Sequence, residues 1–464
     1  MASKKRSSGK RKTQRKGLSG NPQRRAEQLA QLETGAAWAH PAPGGIPRRK
    51  IEPAPWWPES HARILAAVRA DPWPSRLIDL ETRACQLTGD EFYEQIRSPG
   101  KGLHLLYWLA ELAARTGKEL RAAIEDGAAD WDRLWAFLCG LALTAPRSSP
   151  FPETEGGKIA RLTTPLDDDP FEVAQAEAAK AAVLRANHGL TDEVVTAANP
   201  ARPAGDPVFA RDAYGSRFLL AAPFGYGQDE PDHWYAWDID MCGLDVVVGA
   251  GVFGSAKEAL EEWRDAVGTA ASGAALTACP EQAIPVLLDS CLDNRPYTDV
   301  VDGGESRELV RELYRMRQRA RALAWHAGFS AGDPYDYSPD YHAFQGWYAG
   351  RHDAVPEDFG DTVATIVNDW GPPEYPDAGS FYACSPHRIK DTAVLLRDQY
   401  TAEYANASLH VLPEWVEWCM SQASPDEIFA ARSRAAARAE SMALASDDTA
   451  RAEYDYEEPL RRQE

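Results

Sequence analysis

The chain has 464 residues, 44% of them apolar, with 50 Lys and Arg against 70 Asp and Glu and a net charge of −20. That length supplies apolar surface for two or three domain-sized cores, while no run approaches the roughly 20 apolar residues that span a bilayer, so no membrane partner is expected. The N-terminus lacks the apolar run of a secretory signal. Seven scattered cysteines, an odd number, suit reduced thiols, and the expected location is the cytoplasm.

Charge is unevenly distributed. Residues 1–50 hold 13 Lys or Arg against Glu27 and Glu33, a net of +11, which leaves −31 for the rest of the chain. The first 25 residues carry ten cations and no anion. Residues 1–58, which end in the Pro/Gly-rich stretch around Pro41 to Pro47, read as a disordered basic tail and linker. Lys4, Lys5, Arg6, Lys10, Arg11, Lys12, Arg15 and Lys16 are its candidate contacts to nucleic acid or another polyanion.

Residues 59–146 read as a helical domain in which Leu65, Val68, Leu80, Leu109, Leu112, Leu134 and Leu138 recur at helical spacing. Pro72, Pro74, Gly89 and the pair Pro99-Gly100 are taken as its breaks. After a linker at 147–169, residues 170–303 form an α+β domain with an alanine-rich helix from Phe171. Its strands are Phe218 to Phe224, His233 to Asp240 and Leu244 to Gly249, an antiparallel meander, followed by a covering helix over Ala256 to Val267. Residues 304–445 return to helices, expected over Glu305 to His326, Tyr341 to Arg351, Phe359 to Trp370, Ile389 to Tyr404, Glu414 to Ser421 and Asp426 to Met442. Residues 446–464 read as an acidic disordered tail. The fold class is therefore α+β, mainly α: a helical N-terminal domain, a small central antiparallel sheet with a covering helix, and a helical C-terminal region.

Four constellations bear on chemistry. Gly249, Gly251 and Gly254 match G-x-G-x-x-G between a strand and a helix, which resembles the dinucleotide-binding fingerprint. Ser255 to Glu258 has the form of a capping box, which leaves the same glycines as strand-end and turn residues. Asp238 and Asp240 share a strand face by the period of two, a pairing that suits a divalent cation or a solvated surface. The segment from Asp333 to His342, with His352, gathers oxygens and imidazoles without a recognised ligand spacing. Arg311, Arg315 and Arg319 form a ridge on one helix face, with intramolecular pairing to carboxylates expected.

These features point to a non-enzymatic bacterial binding or adaptor protein whose basic tail touches nucleic acid and whose acidic body engages an unidentified protein partner. The alternative is an enzyme binding a nucleotide at Gly249 to Gly254, with a metal at Asp238 and Asp240. No catalytic residue is assigned and no cofactor is expected.

Overall fold

A near-continuous apolar helix sits at the centre of the N-terminal half in the computed structural model. The structure describes residues 53–96, 105–145, 170–190, 200–227, 232–242, 246–292, 306–327, 341–356, 358–371, 376–377 and 379–445. Among these residues the chain is mainly α plus β, 66% helical, with 14 helices and one antiparallel sheet. Residues 1–52 of the expected tail and linker and the acidic C-terminal segment lie outside them, as does the stretch Asp333 to Asp340. Residues 53–58, also assigned to that linker, instead lead into a helix that starts at Trp57, with Trp56 and Trp57 buried in the core, because two adjacent indoles carry apolar surface that the Pro-rich composition masked.

Helices α1 (Trp57–Ala70), α2 (Leu77–Ile96), α3 (Leu105–Glu125), α4 (Trp131–Thr144) and α5 (Pro170–Asn187) pack together. In α4 every residue from Leu134 to Thr144 is buried, as expected of a helix that is apolar on all sides. Gly89 lies within α2 instead of breaking it. A Cβ there would stand 2.3 Å from the backbone of Arg311, so the missing side chain lets another helix cross closely.

The sheet contains β1 (Arg202–Pro203), β2 (Val208–Arg211), β3 (Arg217–Gly225), β4 (His233–Asp240), β5 (Val246–Phe253) and β6 (Thr277–Ala278). Its order is β5-β4-β3-β2-β6, with β1 beside β3 and all pairings antiparallel. The three expected strands form its centre, while β5 runs four residues past the expected end at Gly249. One face carries Phe218, Leu220, Phe224, Tyr235, Trp237 and Ile239 into the large helical core. On the other, Leu219, Ala221 and Ala236 meet Leu260 and Trp263 of α6 (Ala256–Val267). Ser255 caps α6 by accepting from the Glu258 N–H at 3.2 Å, and the Glu258 carboxylate accepts from the Gly254 N–H at 2.8 Å.

Two short helices, α7 (Ala283–Leu287) and α8 (Asp289–Leu292), lead towards α9 (Arg307–His326), which returns to the first core and lies along α2. The remaining helices are α10 (Tyr341–Ala349), α11 (Phe359–Asp369), α12 (Pro386–Gln399), α13 (Ala402–Ala423) and α14 (Glu427–Met442). They enclose a separate core around Phe344, Trp370, Phe381, Trp415 and Trp418. The expected helix over Ile389 to Tyr404 is two, parted near Tyr400. Conversely, α13 passes through Pro413, although an interior proline costs about 3 kcal/mol. Leu409, Val411 and Leu412 before it, and Trp415, Val416 and Trp418 after it, are all buried, which offsets that cost. No helix among the described residues is long and apolar enough to cross a membrane.

Candidate functional site

The end of β4 meets the start of α12, and there side chains from distant parts of the chain converge. Asp240 closes β4 just after a register shift between Asp238 and Ile239. Its Oδ1 accepts the Cys242 backbone N–H at 2.8 Å, which turns the chain out of the strand. From the other side, Ser385 caps α12 by accepting the Arg388 N–H at 3.1 Å, and Pro386 fits the first helical turn, where no N–H partner is needed. His387 therefore projects from that turn, with Asp391 one turn further along. The helix start is pinned by the buried guanidinium of Arg388, which donates to the carbonyls of Trp370 at 2.6 Å, Ser380 at 2.8 Å and Ala383 at 3.0 Å.

His387 stands between two carboxylates. Its Nδ1 is 3.2 Å from Asp240 Oδ2 and its Nε2 is 3.4 Å from Asp391 Oδ2. The Cys242 Sγ lies 3.1 Å from Ser385 Oγ. Burial works to raise the Asp240 carboxyl, but the His387 hydrogen bond and charge outweigh it and hold the group below its ordinary value. The hydrogen bond to Asp240 lifts His387 above the usual imidazole range. Burial, reinforced by the Asp240 charge, pushes the Cys242 thiol well up. A protonated thiol paired with serine, beside an imidazole committed to two carboxylates, lacks the thiolate and the free base of a nucleophilic cysteine pair. What the cluster does offer is one oxygen, one sulfur and one nitrogen donor, from Asp240, Cys242 and His387, all within 4.8 Å of one another.

Asp238 and Asp240 do not act as a pair. Arg217 donates to Asp238 through Nε at 2.8 Å and its terminal nitrogen at 2.6 Å, and Trp263 Nε1 adds a third bond at 2.9 Å. Asp238 is thus occupied within the sheet and α6, whereas Asp240 faces α12. Gly249 and Gly251 lie inside β5, paired with Asp238 and Ala236 across the ladder. Gly254 follows the strand, its N–H taken by Glu258. These glycines therefore belong to an antiparallel strand and a self-capped helix start, as the capping-box reading has it, and do not form the strand-to-helix loop of the dinucleotide-binding fingerprint.

The ridge of Arg311, Arg315 and Arg319 on α9, together with Arg307, is consumed within the protein, as the expected pairing with carboxylates had it. Arg307 donates to Glu94 at 2.7 Å and to Asp90 at 3.4 Å, and Arg311 donates to Asp90 at 2.9 Å. Arg315 donates to Glu312 and, at 2.9 Å, to Thr82. Arg319, fully buried, donates to both oxygens of Glu81 at 2.9 and 2.7 Å. Of the histidines near the Asp333 segment, His342 meets Gln345 at 3.0 Å and His352 meets Glu414 at 3.6 Å.

Sequence reasoning missed Cys242, Ser385, His387 and Asp391. The only local signal was the i, i+4 spacing of His387 and Asp391, and nothing tied it to residues some 145 positions earlier in the chain. Compared with known proteins, the chain matches no family model, and no curated protein or solved structure is similar to it.

Proposed function

We propose that the chain is a non-enzymatic binding protein whose N-terminal cations, Lys4, Lys5, Arg6, Lys10, Arg11, Lys12, Arg15 and Lys16, contact nucleic acid or a similar polyanion. The observation that carries this reading is charge segregation: +11 over residues 1–50 against −31 over the remainder. The pairing of the α9 arginines adds support, because it removes the other cationic ridge from the surface available to phosphate. An acidic body repels a polyanion and suits a protein partner, which leaves the tail as the phosphate-binding element.

Fluorescence anisotropy with labelled DNA and RNA, on full-length, tail-only and tail-deleted protein, tests the proposal. Binding is expected to be largely sequence-independent and to fall by ~10³-fold or more between about 50 and 200 mM salt if six or more phosphates are contacted. The isolated tail should bind more tightly than the full chain, since the body opposes it. Equal binding by the tail-deleted protein, or binding indifferent to salt, overturns the reading. Stoichiometric binding of NAD or ATP, lost on Gly251→Ala, would shift function to the enzyme alternative.

A further inference from the structure

We propose that Asp240, Cys242 and His387 form a binding site for a divalent transition metal, with zinc the ion their donor chemistry fits. This inference is independent of the tail. A carboxylate oxygen, a thiolate sulfur and an imidazole nitrogen are the three donor types zinc takes from proteins, whereas calcium and magnesium call for oxygen ligands. The geometry is close to that of a ligand set. Tetrahedral bonds of about 2.0–2.1 Å to oxygen and nitrogen place those two donors about 3.3 Å apart. His387 Nδ1 and Asp240 Oδ2 are 3.2 Å apart. The Cys242 sulfur lies within 4.8 Å of a ligand nitrogen of His387 and a carboxylate oxygen of Asp240, and on metal binding it would exchange its Ser385 contact for the metal.

The surroundings match what metal ligands require of their neighbours. A ligating histidine donates its second ring N–H to a carboxylate, which fixes the tautomer, and Asp391 stands 3.4 Å from His387 Nε2. A ligating carboxylate is itself hydrogen-bonded, and the Cys242 N–H holds Asp240 Oδ1 at 2.8 Å, leaving Oδ2 for the ion. Asp238 neutralises the nearby Arg217. The Asp240 and Cys242 side chains are buried, while that of His387 is 58% exposed, so an ion enters from the His387 side and a water completes the fourth position. On binding, the Cys242 thiol proton and the His387 Nδ1 proton leave to solvent as the metal–sulfur and metal–nitrogen bonds form.

The test uses full-length protein, stripped with chelator and titrated with Co²⁺ and then Zn²⁺. A single equivalent of Co²⁺ should give a thiolate-to-cobalt charge-transfer absorption with the intense visible bands of tetrahedral cobalt, all bleached by Zn²⁺. Cys242→Ser should lose the charge-transfer band. His387→Ala, at a side chain 58% exposed, should weaken Zn²⁺ binding more than tenfold in a protein that still folds, and Asp391→Asn should weaken it by ~10-fold. If Cys242→Ser fails to fold, His387→Ala decides alone. A folded parent without the charge-transfer band, or a His387→Ala variant that binds Zn²⁺ as the parent does, overturns the proposal and leaves an ion pair between sheet and helix.

Discussion

Two histidines are buried where a proton is costly. His61, fully enclosed, places Nε2 3.2 Å from the Trp108 carbonyl, and burial lowers it to about 4. His233, enclosed beside Arg319, is lowered to about 3, first by burial and then by the charges of Arg319 and Arg315. In the unfolded chain both take a proton near pH 6.5, so below that value the unfolded state binds more protons than the native one. Their contribution is thus complete above pH 6.5 and is lost as pH falls towards 4 for His61 and towards 3 for His233. Each steepens the loss by about 1.4 kcal/mol per pH unit within its window. Urea unfolding at stepped pH checks this: His233→Gln should flatten the acid limb while leaving the neutral plateau within about 1–2 kcal/mol of the parent. An unchanged slope would place the native-state proton elsewhere.

At the scale of elements, two substitutions separate local from tertiary causes. Ser255→Ala removes the acceptor that caps α6 and should cost about 1 kcal/mol without altering the sheet. Gly89→Ala should cost more, about 1–3 kcal/mol, despite the higher helix propensity of alanine, because its methyl group meets the Arg311 backbone and cannot be accommodated by a side-chain rotation. Thermal melts of both variants read the difference. Gly89 also marks how far the sequence could be read. Periodicity identified most helices and the three central strands, since burying one face imposes a period of 3.6 or 2 on the residues themselves. It took Gly89 for a break because a glycine at a helix crossing and a glycine at a helix end look alike without the partner. It ended β5 at Gly249 because the glycines outweighed Val252 and Phe253, although cross-strand pairing with Trp234 and Tyr235 holds those residues in the ladder. Strands β1 and β6 span two residues each and carry no periodic signal. The arginine ridge was legible, as was its need for carboxylates. That Asp90 and Glu81 would supply them was not, and neither was the meeting of Cys242 with His387, because no local pattern encodes contacts across more than a hundred residues.

For the whole molecule, the boundary between the two large cores does not fall where the composition changes. Helix α9 follows the sheet in sequence yet buries Leu309, Leu313, Tyr314, Ala320 and Leu323 in the N-terminal core. A fragment covering 53–327 should fold, with a cooperative urea transition. One covering 53–303 should not, because it leaves Glu81 buried without Arg319 and opens the α2 face, a loss of about 3–5 kcal/mol from the ion pair alone. Circular dichroism and urea titration of the two fragments distinguish these outcomes. Removing residues 1–50 should leave the melting temperature unchanged, since that segment brings few apolar residues to a core. The placement of α9 also sets an order of events at the ribosome. Arg319 lies 238 residues after the carboxylate it neutralises. At about 5–20 residues per second, the N-terminal helices wait on the order of tens of seconds before the helix that closes them has been made. Throughout that interval the exposed apolar side of α2 is a surface for chaperones, and a ribosome stalled before residue 307 holds a nascent chain whose first core is still open.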